Sequence, residues 1–242
     1  MSSVLGLDTS ASWCSVALVQ DSAVAVRRAE VGNGHSAALL PMVAEVLAEA
    51  GTTLQACDAI AFGAGPGSFT GLRVACAAAQ GLAFGAGLSV VPVGTLDAIA
   101  QRVLRREAVD GLLLVAQDAR MGEVYWALVD GTSTTVVGPA LGAPAAIAAA
   151  LRERPDDRPI VAGVGNAWRV HGDAMRGLVE RVVPCEAADA VEIAWLGSRE
   201  WAAGRAVPPE LALPLYVRND VARTTAERAA AAARTSAPRL AA

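Results

Sequence analysis

One segment, GAGPGSFTGLR at residues 63–73, constrains the fold more than any other stretch of the chain. A short apolar run, DAIAF, leads into it, and a long run of small residues that reads as a helix leads out. Glycines and a proline at a strand-to-helix handover allow a tight turn and close backbone approach. Backbone amides and a helix N-terminus in that geometry can face an anion. A turn with a capping residue and no ligand accounts for the same residues, with Thr70 as the expected N-cap. Two familiar chemistries are excluded here. No Lys-Ser/Thr pair follows, so the loop is not a Walker A motif. Ser68 has Pro66 and Thr70 two positions away, so it is not the centre of a GxSxG elbow.

The organisation around this junction is a meander followed by alternating helices and strands. Residues 4–7, 13–19 and 23–30 read as three short strands separated by the polar turns DTSAS and QDS. From Ser36 the spacing of Leu39, Leu40, Val43, Val46 and Leu47 predicts a helix ending near Gly51, with Pro41 marking a late start or a kink. A strand at 59–62, a helix at 71–85 and a strand at 88–93 complete a β-β-β-α-β-α-β order. Thr95 is the expected cap of a helix reaching about Arg106. A second meander then follows at 112–117, 124–129 and 134–137, and a helix at 143–154 and a strand at 160–162 extend the architectural echo. Residues 163–166 read as a turn, 190–203 as a helix, and PPELALPLYVRND as an extended segment. The expected division is a first domain over 1–103, a second over 104–225, and an alanine-rich tail at 226–242 that has little to bury and is expected to fray.

Composition narrows the partners. Apolar residues make up 54% of the 242 positions but aromatics only 4%, so the core must be built from alanine, valine and leucine. A net charge of -4 argues against a strongly electropositive surface wrapped around nucleic acid, and leaves open a complex whose other members make those contacts. Cys14, Cys57, Cys76 and Cys185 are far apart with no CxxC, so neither a zinc module nor a redox pair is encoded, and buried thiols are expected. The N-terminus lacks a basic leader before a long apolar stretch, and apolar runs break well short of the roughly 20 residues a span needs. A cytoplasmic protein with no membrane partner is the expectation.

Individual residues leave chemistry open. Asp8 closes the first strand in LGLDTS, a place suited either to orienting a metal-bound water near phosphates or to an Asx turn at Thr9 or Ser10. The DTS sequence lacks the glycine that would leave room for a nucleotide phosphate. His35 precedes a helix whose positions one turn on are Ala38 and Leu39, neither of them a ligand, and His171 has nothing diagnostic beside it. Asp118, Arg120, Met121, Gly122 and Glu123 read as a hairpin turn with the arginine paired locally, or as a surface facing a partner or substrate.

Taken in order, LGLDTS with CSVAL, His35 before an apolar helix, GPGSFTGLR, AQGLAFG, DARMGEVYWA and LYVRNDVA closely resemble the bacterial TsaB (YeaZ) family from about Val4 to Ala222. The resemblance implies an α/β fold of the actin-like, sugar-kinase-like and Hsp70-like (ASKHA) class, with two related subdomains each holding a mixed sheet. It implies a non-catalytic subunit for threonylcarbamoyladenosine (t6A) synthesis on tRNA, with no cofactor of its own. The catalytic relative, TsaD, carries two metal-binding histidines four apart; the matching positions here are His35 and Leu39, so half of that site is missing and a metallopeptidase reading is disfavoured. Expected partners are TsaD, the ATPase subunit TsaE, tRNA only through the complex, and a second copy when the chain is alone. The expected contact face is Leu39, Leu40 and Val43 on one helix with Arg73, Val74, Ala77, Ala78 and Gly81 on the next. Asp8, Thr9, Ser10, His35, Gly65, Pro66, Gly67, Ser68, Thr70 and Gly71 would be a vestigial nucleotide cleft. An ATP-binding phosphotransferase or ATPase of the same fold is the competing expectation.

Overall fold

The meander expected at the N-terminus forms from β1 (Ser3–Asp8), β2 (Trp13–Gln20) and β3 (Ala23–Glu30), antiparallel throughout, with Leu7 opposite Val16 and Asp8 opposite Ser15. The structure is a computed structural model and describes residues 2–218; the tail expected at 226–242 lies outside them. Successive side chains of β1 point to opposite faces of the sheet. Leu5 and Leu7 join the apolar cluster under α1 (His35–Glu49) and α2 (Phe69–Ala86), whereas Val4 joins the cluster on the other face. Both faces are covered, which is why the inner strands read as nearly continuous apolar runs rather than as alternation. Two further strands, β4 (Ala59–Gly65) and β5 (Ser89–Gly94), add in parallel, giving the order β3-β2-β1-β4-β5.

The second half repeats this plan. Strands β6 (Leu112–Asp118), β7 (Val124–Asp130) and β8 (Thr135–Gly142) form an antiparallel meander; α4 (Pro144–Arg152), β9 (Ile160–Val164), α5 (Ala167–Met175) and β10 (Val182–Val183) follow. The sheet order is β8-β7-β6-β9-β10, with β9 parallel to both β6 and β10. Two sheets with one strand order and one set of pairing directions make this a duplicated α/β architecture of the ASKHA class.

Each half ends in a helix that packs against elements of the other half. Helix α3 (Thr95–Leu104) packs on β6 and β7, and α6 (Ala190–Ala202) returns to β1, β2, β4 and β5. One apolar cluster therefore joins Ala61 and Val93 of the first sheet, Leu113 and Val115 of the second, Ile99 of α3 and Ile193 of α6. Each buried leucine, isoleucine or valine contributes roughly 1.5–3 kcal/mol, so parting the two sheets carries a large cost.

Several elements differ from expectation for identifiable reasons. Helix α2 begins at Phe69, and its N-cap is Ser68 rather than Thr70: the Ser68 hydroxyl oxygen accepts the Gly71 N–H at 3.3 Å. Helix α3 is capped by Gly94, ends at Leu104, and takes Thr95 as its first residue because that hydroxyl is engaged elsewhere, donating to the Pro66 carbonyl. Helix α1 runs through Pro41 without ending, and Pro41 is on the exposed side, where water can satisfy the carbonyl that loses its N–H partner. Strand β8 continues to Gly142, past Gly138-Pro139, because register shifts against β7 absorb the proline. Helix α5, with Gly172 in a positive-φ conformation inside it, and the two-residue β10 were not expected from the sequence. All four cysteines are free and buried, and among the described residues no helix is long and apolar enough to cross a membrane.

Candidate functional site

The turn after β1 and the glycine-rich loop before α2 are locked into each other. The Thr9 hydroxyl donates to the Gly71 carbonyl at 2.7 Å, and the Ser68 N–H donates to the Ser10 carbonyl at 2.8 Å. A Cβ on Gly71 would lie 1.8 Å from the Thr9 carbonyl oxygen, and one on Gly67 would lie 2.7 Å from that of Ser10. These glycines thus permit one chain segment to approach another. Two amides at the start of α2, those of Ser68 and Gly71, are already engaged by protein oxygens. Behind them Thr95 holds Pro66, and the Leu215 N–H donates to the Ala64 carbonyl at 2.8 Å. Ser68→Ala is expected to lower stability by about 1 kcal/mol, the usual cost of a lost N-cap, read as a reduced urea midpoint at unchanged slope.

Asp8 sits at the centre of this junction, 1% exposed. Its Oδ2 accepts the Ser10 hydroxyl at 3.2 Å, and Oδ1 has no partner among the described residues. Burial pushes its carboxyl up to about 7; the Ser10 side chain and backbone N–H pull the other way, and the charge of Asp189 adds to the rise. The Ser10 contacts are those of an Asx-type turn. Cys14 is pushed up to about 11, mainly by burial and then by Asp8. His35 is also buried; burial lowers its pKa against a hydrogen bond with the Ala11 backbone, and Nδ1 has no partner. Leu39, one turn on, is in the core. Among the described residues no three His, Cys, Asp or Glu side chains converge as a metal site.

The expected contact face divides. Leu39 and Val43 are 1% and 4% exposed and pack in the core, because the stripe that includes Val46 faces the sheet. They leave the surface of the chain, which is a correction to the sequence reading. Leu40, on the opposite side of α1, is 53% exposed. On α2, Arg73, Ala77 and Gly81 are exposed, while Val74 and Ala78 are half-buried against the core. Sequence reasoning missed Phe84, which is 82% exposed on the same helix. It also missed the strap formed by the segment after α6. The Ala212 carbonyl accepts Gln80 Nε2 at 3.0 Å, Arg73 Nε donates to the Tyr216 hydroxyl at 3.0 Å, and the Arg73 guanidinium stacks 3.9 Å over Phe69. Arg218 carries the strap to the second half, pairing with Glu123 at 2.6 Å.

The Asp118–Glu123 turn is a locally paired hairpin. The Arg120 N–H donates to Asp118 Oδ1 at 3.1 Å, and its guanidinium is 3.4 Å from Oδ2. His171, silent in the sequence, places Nε2 3.0 Å from the same carboxylate.

A family model described as "TsaD: tRNA N6-adenosine threonylcarbamoyltransferase" matches residues 28–162, from β3 through β9. The tRNA threonylcarbamoyladenosine biosynthesis protein TsaB of Escherichia coli K12 is 36% identical over 234 residues, covering 90% of this chain and 96% of that protein. The chain belongs to the TsaB (YeaZ) family. TsaB of Haemophilus influenzae is 45% identical over 126 residues, covering 52% of this chain and 53% of that one. The solved YeaZ from Pseudomonas aeruginosa superposes with a TM-score of 0.78 at 36% identity, covering 89% of this chain and 100% of that one. In this TsaB-family chain the glycines at 67 and 71 admit the Thr9–Ser10 turn, and the Ser68 and Gly71 amides are engaged by protein oxygens.

Proposed function

We propose that this chain is a non-catalytic scaffold in t6A synthesis, binding TsaD so that threonylcarbamoyl passes from its adenylate to the N6 amine of the tRNA adenosine adjoining the anticodon. One observation carries the reading: the outward side of α1 and α2 combines exposed Leu40 and Phe84 with small residues at Ala77 and Gly81, and a Cβ on Gly81 would meet nothing within 4 Å. Small residues flanked by apolar anchors suit close helix-to-helix packing against a partner. The engagement of the 63–71 loop by the Thr9–Ser10 turn supports assigning the chemistry to the partner and leaves this chain to contribute positioning. Without TsaD the same face would pair two copies, and TsaE would join only the assembled complex.

The test is transfer of labelled threonylcarbamoyl to unmodified tRNA by the adenylate-forming enzyme, TsaD and TsaE, with and without this chain. Omitting it is expected to lower the rate at least about tenfold, equivalent to 1.4 kcal/mol. Gly81→Leu, which fills open surface and leaves the fold intact, is expected to weaken TsaD binding by a similar factor. Undiminished transfer without the chain would sink the scaffold role.

A further inference from the structure

A cavity of about 700 Å³ lies between the Trp13 end of the first meander, the last turn of α3, and the segment from β10 to α6. It shares no lining residue with the Gly63–Arg73 loop or with the Asp118–Glu123 hairpin. Its volume falls in the range of small-molecule sites. Four arginines line it, Arg28, Arg102, Arg106 and Arg181, against three carboxylates, Glu107, Glu186 and Asp189.

Each of those carboxylates is already committed. Asp189 pairs with Arg28 through Oδ2 and caps α6 by accepting the Val191 N–H on Oδ1 at 3.0 Å. Glu107 takes both terminal nitrogens of Arg181, at 2.7 and 3.1 Å. Glu186 is held by Arg169, from outside the cavity, at 2.8 Å. Glu192, buried nearby, has Oε1 3.4 Å from Arg105, is influenced by Arg102 more than by Arg105, and has no partner at Oε2. Among the described residues, Arg102 and Arg106 have no carboxylate oxygen within ion-pairing distance. Arg102 is in the last turn of α3 and Arg106 in the turn that follows it. The lining also includes apolar Val103, Val183 and Pro184 and the partly exposed indole of Trp13.

We propose that this cavity binds a phosphomonoester of nucleotide size, its phosphate held between Arg102 and Arg106 and its organic body against Trp13 and the apolar wall. Two guanidiniums that line one cavity and form no ion pair among the described residues match a dianionic phosphate, which each can engage by two parallel N–H donations. Apolar walls of low dielectric concentrate that field inside the cavity. Arg28 and Arg181, paired to Asp189 and Glu107, offset the negative charge those carboxylates bring to the cavity.

Isothermal titration of the full chain at low salt with AMP, adenosine and inorganic phosphate tests the proposal. AMP is expected to bind, with adenosine and inorganic phosphate each at least about tenfold weaker. Arg102→Gln and Arg106→Gln are each expected to weaken AMP by at least about tenfold while circular dichroism stays unchanged. Arg120→Gln, on the distant hairpin, serves as the control with unaltered affinity. Absence of AMP binding at millimolar concentration, or AMP binding retained in the folded double variant, overturns the site. Equal affinity for AMP and adenosine overturns the role of the arginines, and equal affinity for AMP and phosphate overturns the role of the apolar wall.

Discussion

Gly71→Val is expected to destabilise the chain by roughly 3 kcal/mol or more, at the upper end of overpacking costs and among the large single-residue effects. The Cβ would arrive 1.8 Å from the Thr9 carbonyl oxygen and 3.0 Å from its carbon, and both are backbone atoms that no rotamer change can move. Relief requires pulling the β1–β2 turn away from α2. That breaks the Thr9 hydroxyl donation to Gly71 and the Ser68 N–H donation to Ser10 together, and leaves Asp8 in a loosened junction. Gly81→Ala is the matched control on the same helix: its Cβ meets nothing within 4 Å, and removing an exposed helical glycine should stabilise by about 0.5–1 kcal/mol. Urea denaturation of both variants decides the matter. Equal midpoints would mean that the interlock contributes nothing to stability.

This contrast also shows why the sequence located the loop but left its purpose open. Glycine at 67 and 71 announces close backbone approach, and two things can approach: a phosphate or another part of the chain. The answer depends on Thr9 and Ser10, some sixty residues away, and no local pattern reports that pairing. The architecture was legible because all strands and α-helices but α5 and β10 declare themselves by local apolar spacing, and because two meanders in one order imply two matching sheets. Where local pattern and tertiary placement disagree, the reading failed. Leu39, Leu40 and Val43 look equivalent by hydrophobicity, yet the 3.6-residue turn sends Leu39 and Val43 into the core and Leu40 outward. Thr70 and Thr95 resemble caps, yet Ser68 and Gly94 take those places because the interlock fixes where each helix begins. Arg102 and Arg106 carried no motif; their meaning comes from partners they lack in three dimensions.

Asp8→Asn is expected to leave stability nearly unchanged at pH 4 and to raise it by about 4 kcal/mol at pH 8, from the linkage of roughly 1.4 kcal/mol per unit of pKa difference. The folded carboxyl is raised from 3.8 to about 7, chiefly by burial. Below 3.8 both folded and unfolded chains hold the proton, and the contribution is fully present. As pH rises from there, the unfolded chain ionises first while the folded chain keeps its proton, so stability falls until the folded carboxyl itself ionises near 7. Asparagine cannot ionise, so the fall disappears. The groups that act on Asp8 are the Ser10 hydroxyl and N–H, which favour the anion, and Asp189, which opposes it. Asp97 and Glu192 are also raised by burial and tilt the wild-type curve in the same direction, but they are common to both proteins and cancel in the difference. Urea midpoints from pH 4 to 8 should therefore diverge between wild type and variant, and parallel curves would refute the assignment.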